Sequence, residues 1–217
     1  MFSPVVDLAD LVSPAHTALV TCEMQRGVVG DLAAMRELAD EVAALGVLER
    51  AAELCVRARR AGVRVVHATA ELRADRAGLS INNPMMAHVV KNPDQVLQGT
   101  PAAEVCPELG PAPEDIVCRR IHGLTPFTGT ELDAILRNLG VRTIVPVGVS
   151  VNEALLGLCL QAADLGYRIA LPTDCVAGVP RSYANDVFKY TLGYISNLTN
   201  AEAIAKAWSA AAGEPAG

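Results

Sequence analysis

"TIVPVGVSVNEALLGL" (residues 143–158) changes structural grammar halfway along. Its first half is an almost unbroken apolar run, rich in β-branched residues, as in a strand buried on both faces. Gly148 ends that run, and Ser150 and Asn152 make a short polar turn. From about Asn152 the pattern becomes helical. Leu155, Leu158, Cys159 and Ala162 share one face, and Gly166 closes the segment. A strand that turns through a glycine into a helix aims the helix's unpaired N–H groups at whatever the turn holds. Such a turn serves to mount one reactive side chain. Its first helical residues here are Glu153, Ala154 and Leu155, and none is a usual nucleophile for amide or ester chemistry.

The same alternation runs outward in both directions. Short apolar segments bounded by Gly, Pro or Asp occur at 17–24, 64–70, 116–121, 143–149 and 168–174, with a weaker sixth at 194–200. Helical patterns lie between them. One continuous helix is predicted from about Arg36 to Ala61, with Leu38, Val42, Leu45, Leu48, Ala52, Cys55 and Ala58 on its buried stripe. Others are predicted at 129–140, 152–165, 182–193 and 201–212. A βαβ series with short connections predicts an α/β fold: a doubly wound, mostly parallel six-stranded sheet with helices on both faces. No repeat or low-complexity linker divides the 217 residues, so a single domain over 1–217 is expected. Ligands of such sheets bind beyond the C-terminal strand ends, which places the site just after Met24, Ala70, Ile121, Val149 and Asp174.

Composition narrows the partners. The chain is 51% hydrophobic but only 4% aromatic, which suits a sheet covered by small-residue helices. The net charge of −6 argues against nucleic acid and anionic membranes. The one basic cluster, "RARRAGVR" (57–64), sits where cations suit a helix C-terminus. No apolar run is long enough to span a bilayer. The N-terminus has neither the basic nor the apolar region of a secretory signal. Six cysteines without any C-x-x-C spacing read as reduced, buried thiols, and a cytoplasmic location is expected. The four histidines show no metal-ligand spacing and no glycine-rich phosphate loop is present, so neither metal nor cofactor is expected.

Glu23 ends the first strand, in "TCEMQRGVVGD" (21–31). A carboxylate there is costly unless it is paired or functional, and burial would raise its pKa toward the range of acid–base work. A structural carboxylate bonded to backbone or to an arginine is the competing reading. Arg119 and Arg120 close the third strand and must face opposite ways, so only one can reach the site. His122 reads more simply as a surface or hydrogen-bonding residue. Ser150 and Glu153 form S-x-x-E, a capping box for the following helix, with Asn152 as a competing N-cap.

Several segments together resemble the isochorismatase-like, or cysteine hydrolase, superfamily. "ALVTCEMQRGVVGD" (18–31) is similar to its first strand and acidic motif. "LQGTPAAEVCPEL" (97–109) resembles its G-T-x-G-x-E-[IV]-x-P-E-L segment. The stretch from Gly123 to Gly178 resembles its S-A-F-x-G-T-x-L loop, G-x-x-T-N-x-C helix start and G-Y-x-[IV]-x-x-D-A strand. Members of the family typically use an Asp–Lys–Cys triad. The resemblance puts the Asp on Glu23 and the Cys on Ala154. It puts the Lys on Arg120 counted from the strand, or on Ile121 counted back from Phe127. Cys159 is five residues beyond Ala154, about 140° around the helix and a turn deeper. The resemblance also implies a pocket lined by Gln25, Thr125, Phe127, Ser150 and Asn152.

Two functions follow. The first is a hydrolase of a small, anionic organic molecule that uses acid–base chemistry in place of a cysteine nucleophile, with Glu23 as acid and Arg120 as anion clamp. The second is an inactive relative that binds a small molecule or serves as an assembly subunit. The apolar C-terminal stretch "YTLGYISNLTNAEAIAKAW" (190–208), with Tyr190, Tyr194, Leu198 and Trp208, predicts a homo-dimer or homo-tetramer.

Overall fold

The computed structural model describes residues 6–92 and 95–213. α1 (Leu8–Leu11) leads into β1 (Thr17–Cys22), and α2 (Arg36–Leu45) and α3 (Val47–Arg60) lead to β2 (Arg64–Ala70). A long excursion carrying α4 (Pro84–Val89) precedes β3 (Ile116–Arg120). Then α5 (Leu132–Asn138), β4 (Thr143–Gly148), α6 (Ala154–Asp164) and β5 (Arg168–Pro172) alternate. α7 (Arg181–Val187) runs through a π-helical turn into α8 (Gly193–Ile195). β6 (Asn197–Thr199) and α9 (Ala201–Ala211) end the fold. The strand order is β3-β2-β1-β4-β5-β6, and every pairing is parallel. The doubly wound sheet read from the sequence is therefore present.

Period-two alternation divides each strand between two cores. Leu19 of β1 and Val145 and Val147 of β4 face α2, α3 and α9. Ala18, Val20 and Cys22 of β1 and Ile144 of β4 face α5, α6 and α7. Both faces are covered, which is why the strands read as continuous apolar runs. The ladder from β4 to β5 stops at Ile144↔Ile169, just before Pro146, which has no N–H to give. The chain rejoins at Gly148, bridged to Val176.

Two expected helices and the placement of Trp208 differ. The single helix over 36–61 is two helices, because Gly46 adopts φ 61° and caps α2, its N–H bonded to Ala43 and Val42 carbonyls. Arg50 secures the break by donating to the carbonyl of Leu45, and through Nε to that of Asp174 at 2.8 Å. The helix expected at 129–140 shortens to α5, since the Thr130 hydroxyl accepts from the Leu132 N–H at 3.2 Å and holds the preceding turn non-helical. Trp208, expected in an interface, is completely buried, and its indole N–H donates to the Val12 carbonyl at 2.8 Å.

A polar network lies buried beside the sheet. Thr21 Oγ1 is 2.9 Å from His67 Nδ1, and His67 Nε2 is 3.2 Å from Asp115 Oδ2. The carboxylate can only accept, so Nε2 carries the hydrogen and Thr21 donates to Nδ1. Arg59 completes the set with a 2.7 Å bond to Asp115. Burial lowers the pKa of His67 from 6.5, outweighing Asp115. Burial alone would raise that of Asp115, but hydrogen bonds from Arg59, Ala112 and His67 outweigh it and hold the carboxyl below its ordinary range. The unfolded chain therefore binds protons before the fold does. Stability is expected to fall as pH drops below about 6.5, first through His67 and then, below the ordinary carboxylate range, through Asp115. Denaturant unfolding at a series of pH values should show this, and His67→Gln should remove the part that sets in just below about pH 6.5.

Candidate functional site

The winding of the sheet reverses between β1 and β4, and a cavity of about 80 Å³ opens beyond their C-terminal ends. Glu23 follows β1 with φ 54°, a left-handed conformation that costs a non-glycine residue free energy. Its backbone is held from both sides: its N–H donates to the Ala68 carbonyl, and its carbonyl accepts from the Gln25 N–H, each at 2.9 Å. The fixed backbone turns the side chain toward β3. Arg120 Nη2 reaches Glu23 Oε1 at 2.5 Å. Of the two arginines closing β3, Arg120 is the one at the cavity. It is only 6% exposed, and its Nη1 has no hydrogen-bond partner. Arg119 lies on the opposite face, paired with Glu71 at 3.1 Å. Ile121, the other candidate position, is exposed and absent from the cavity wall.

The β4–α6 turn supplies the second wall. Gly148 has φ 113°, and a Cβ there would collide with the Cys22 carbonyl oxygen, so only glycine lets β4 pass so close to β1. The Ser150 carbonyl accepts from the N–H groups of Glu153 and Leu155, each at 3.0 Å, and this closes the turn. The expected capping box does not form. The Ser150 hydroxyl donates instead to Asn152 Oδ1 at 2.6 Å, and Glu153 makes no side-chain cap. Glu153, with φ −140° and ψ −97°, lines the cavity beside Ala154. Burial raises its pKa above 4.5, and the negative charge of Glu23 raises it further.

The other wall is apolar. Met35, Leu38 and Leu72 meet Met85, Met86 and Val89 of α4 over the polar cluster. Leu38 lies on the periodic stripe of α2, whereas Leu72 and the α4 residues lie in segments where the sequence showed no periodicity to follow.

Glu23, Arg120, Ser150 and Ala154 thus converge on one cavity. Gln25, Thr125, Phe127 and Asn152, expected in the same lining, are elsewhere. Gln25 is completely buried, and its amide is spent on backbone: Nε2 donates to the Ala70 and Ala103 carbonyls, and Oε1 accepts from the Ala70 N–H. It ties the ends of β1 and β2 together. The Thr125 methyl occupies the notch left by Gly157 in α6. Phe127 stacks on Tyr167, with ring centroids 5.9 Å apart. Asn152 turns away from the cavity, its Oδ1 taking up the space above Gly178. Glu153 is the residue that sequence reasoning missed. Its position next to Ala154 was the available signal, but the S-x-x-E spacing absorbed it.

All six cysteines are free and buried. Burial pushes Cys159 up to about 12, so the thiol nearest in sequence to Ala154 is held as the unreactive acid. A more open groove of about 590 Å³ lies across the sheet edge, but its charged groups are spent on one another, Arg119 on Glu71 and Arg26 on Glu104. Among the described residues, no cluster of His, Cys, Asp and Glu could hold a metal ion, and no helix is long and apolar enough to cross a membrane.

A doubly wound parallel sheet with its site at the β1/β4 reversal defines the general class. The isochorismatase domain matches residues 17–203, and this chain belongs to the isochorismatase family. An uncharacterized isochorismatase family protein of Escherichia coli O157:H7 is 29% identical over 196 residues, covering 88% of this chain and 95% of that protein. Streptothricin hydrolase of Streptomyces noursei is 29% identical over 170 residues, 78% of this chain and 52% of its own length. Among solved structures, an isochorismatase family protein of Desulfovibrio vulgaris superposes with a TM-score of 0.75 at 24% identity, covering 88% of this chain and 96% of the other.

Proposed function

We propose that the chain is a hydrolase of a small organic molecule and that Glu153 is its general acid. The observation that carries this reading is the half-buried Glu153 carboxyl, raised in pKa, on the cavity wall beside Ala154. A carboxyl kept protonated closer to neutrality is suited to giving a proton to a leaving group. Glu23, first expected to be that acid, is engaged with Arg120. Its charge instead helps to hold the proton on Glu153. In this reading the Glu153 O–H protonates the leaving heteroatom, water adds to the carbon left electron-poor, and the water's surplus proton returns to the Glu153 carboxylate. One water is consumed and the enzyme is regenerated. Ala154, on which the resemblance places the family cysteine, offers a methyl group, so no covalent enzyme intermediate forms there. Membership of a hydrolase family and the likeness to streptothricin hydrolase support the reaction class.

A screen of small esters, amides and enol ethers tests the reading. Turnover that disappears in Glu153→Gln supports it. Saturable binding with no turnover of any compound favours the binding-module alternative, which rests on the missing nucleophile at Ala154.

We further propose a homo-oligomer, on a narrower basis than the sequence suggested. Tyr183, Tyr190 and Tyr194 are each at least half exposed along the α7–α8 segment, whereas Trp208 belongs to the core. Light scattering at micromolar concentration should give at least twice the chain mass of 22.8 kDa. The free, buried cysteines accord with a reducing compartment such as the cytoplasm.

A further inference from the structure

We infer that the cavity selects an uncharged carbonyl compound with a small apolar body and rejects the corresponding carboxylate. This rests on the reading above only in taking the cavity as the ligand site, and it does not require hydrolysis.

The orphan donor comes first. Arg120 is 94% buried by its 6% exposure, and Nη2 is committed to Glu23 while Nη1 is left without a partner. A buried N–H of a guanidinium is expensive to leave unmade, and an oxygen acceptor on a ligand would satisfy it. A carbonyl or a carboxylate would serve equally well as an acceptor.

Charge separates the two. The guanidinium is already balanced by Glu23, which it touches. Glu153, the remaining ionisable group among the described residues of the wall, is a carboxyl and can add only negative charge. A ligand carboxylate would therefore bring an unmatched negative charge into a space walled by Met35, Met85, Met86 and Val89. Burying a charge without a partner is costly, and two carboxyl side chains already face that space. A neutral carbonyl satisfies Nη1 and leaves the site balanced. Its apolar remainder can pack on the methionines, whose flexible side chains adjust to its shape. The cavity of about 80 Å³ restricts that remainder to a few heavy atoms. The anionic substrate expected from sequence relied on Arg120 as a free clamp, and Glu23 occupies that role.

Isosteric pairs test this on the full chain. Isobutyramide and isobutyrate, which differ in charge but little in shape, are titrated at neutral pH and followed by NMR chemical-shift changes of the methionine methyl groups. The amide is expected to bind the wild type at least tenfold more tightly than the carboxylate. Glu23→Gln leaves the Arg120 charge unmatched, so its preference should reverse toward isobutyrate. Equal or tighter binding of the carboxylate by the wild type would overturn the inference, as would failure of both compounds to bind at millimolar concentration. A folded Glu23→Gln protein that still prefers the amide would overturn it too. The wild-type comparison stands by itself if that variant does not fold. Amide binding with no turnover of any hydrolysable compound would leave this inference in place and sink the hydrolase reading. Turnover of an anionic compound would do the opposite.

Discussion

Replacing Glu153 by glutamine is expected to lower turnover by roughly 10²–10⁴-fold, the usual contribution of a positioned general acid. Glutamine is close in shape to a protonated glutamate, so the fold and ligand affinity should change little. The loss should therefore appear in kcat rather than in KM. The pH profile gives a second readout. A general acid works in its protonated form, so wild-type activity should be highest at low pH and fall as pH rises through the raised pKa of Glu153. That descending limb should vanish in Glu153→Gln. A variant that keeps both its rate and its descending limb would assign the proton to another group.

Ala154→Cys should create the most reactive thiol in the protein. The new sulfur would stand in the first turn of α6 on the cavity wall, near the Arg120 guanidinium, in a place where helix N–H groups favour an anion. The neighbouring carboxyls and the burial of the position oppose that effect. Burial pushes Cys55, Cys106 and Cys159 up to about 12, and Cys22, Cys118 and Cys175 are also raised. The new thiol, next to a cation and at a helix start, should carry the larger thiolate fraction at neutral pH and be alkylated by iodoacetamide faster than any native one. Mass spectrometry of time-quenched samples identifies the labelled residue. Residue 154 reacting no faster than the native thiols would mean that the turn does not present a side chain to the cavity. The further changes Glu23→Asp and Arg120→Lys, made together with Ala154→Cys, ask whether the cavity still supports amide hydrolysis, since groups acting as a unit are non-additive.

The fold was legible because each strand carries its own signal. Continuous apolar runs ended by Gly or Asp need nothing from the rest of the chain to be read as buried parallel strands. The first break in that legibility is Gly46, where one stripe of apolar residues continues through a residue in the left-handed conformation. Periodicity alone does not register the bend. At the site, residues fixed by strand direction were legible. Glu23 follows β1 and Ala154 opens α6; parity showed that Arg119 and Arg120 face opposite ways, but not which of them reaches the site. Residues whose roles depend on distant partners were not. Gln25 looks like a ligand-facing amide until Ala70 and Ala103, brought in from 45 and 78 residues away, take up its hydrogen bonds. Trp208 looks like an interface residue until Val12 receives its N–H. Glu153 was hidden by a local pattern that had a sufficient structural explanation. Its φ and ψ, which decide whether it caps or faces the cavity, are set by the turn from Gly148 and leave no trace in residue type. The apolar wall depends on α4, a six-residue helix too short to display a period.

The proposed chemistry stands on a protonatable carboxyl at Glu153, with Glu23 retained as the partner of Arg120. Carbon-detected NMR titration of selectively labelled glutamate carboxyls, with Glu153→Gln to assign the resonance, measures it without any knowledge of the substrate. The Glu153 midpoint is expected above the ordinary 4.5, and lower in Glu23→Gln, where the neighbouring negative charge is gone. A Glu153 midpoint at or below 4.5 would remove the general acid and overturn the proposed function.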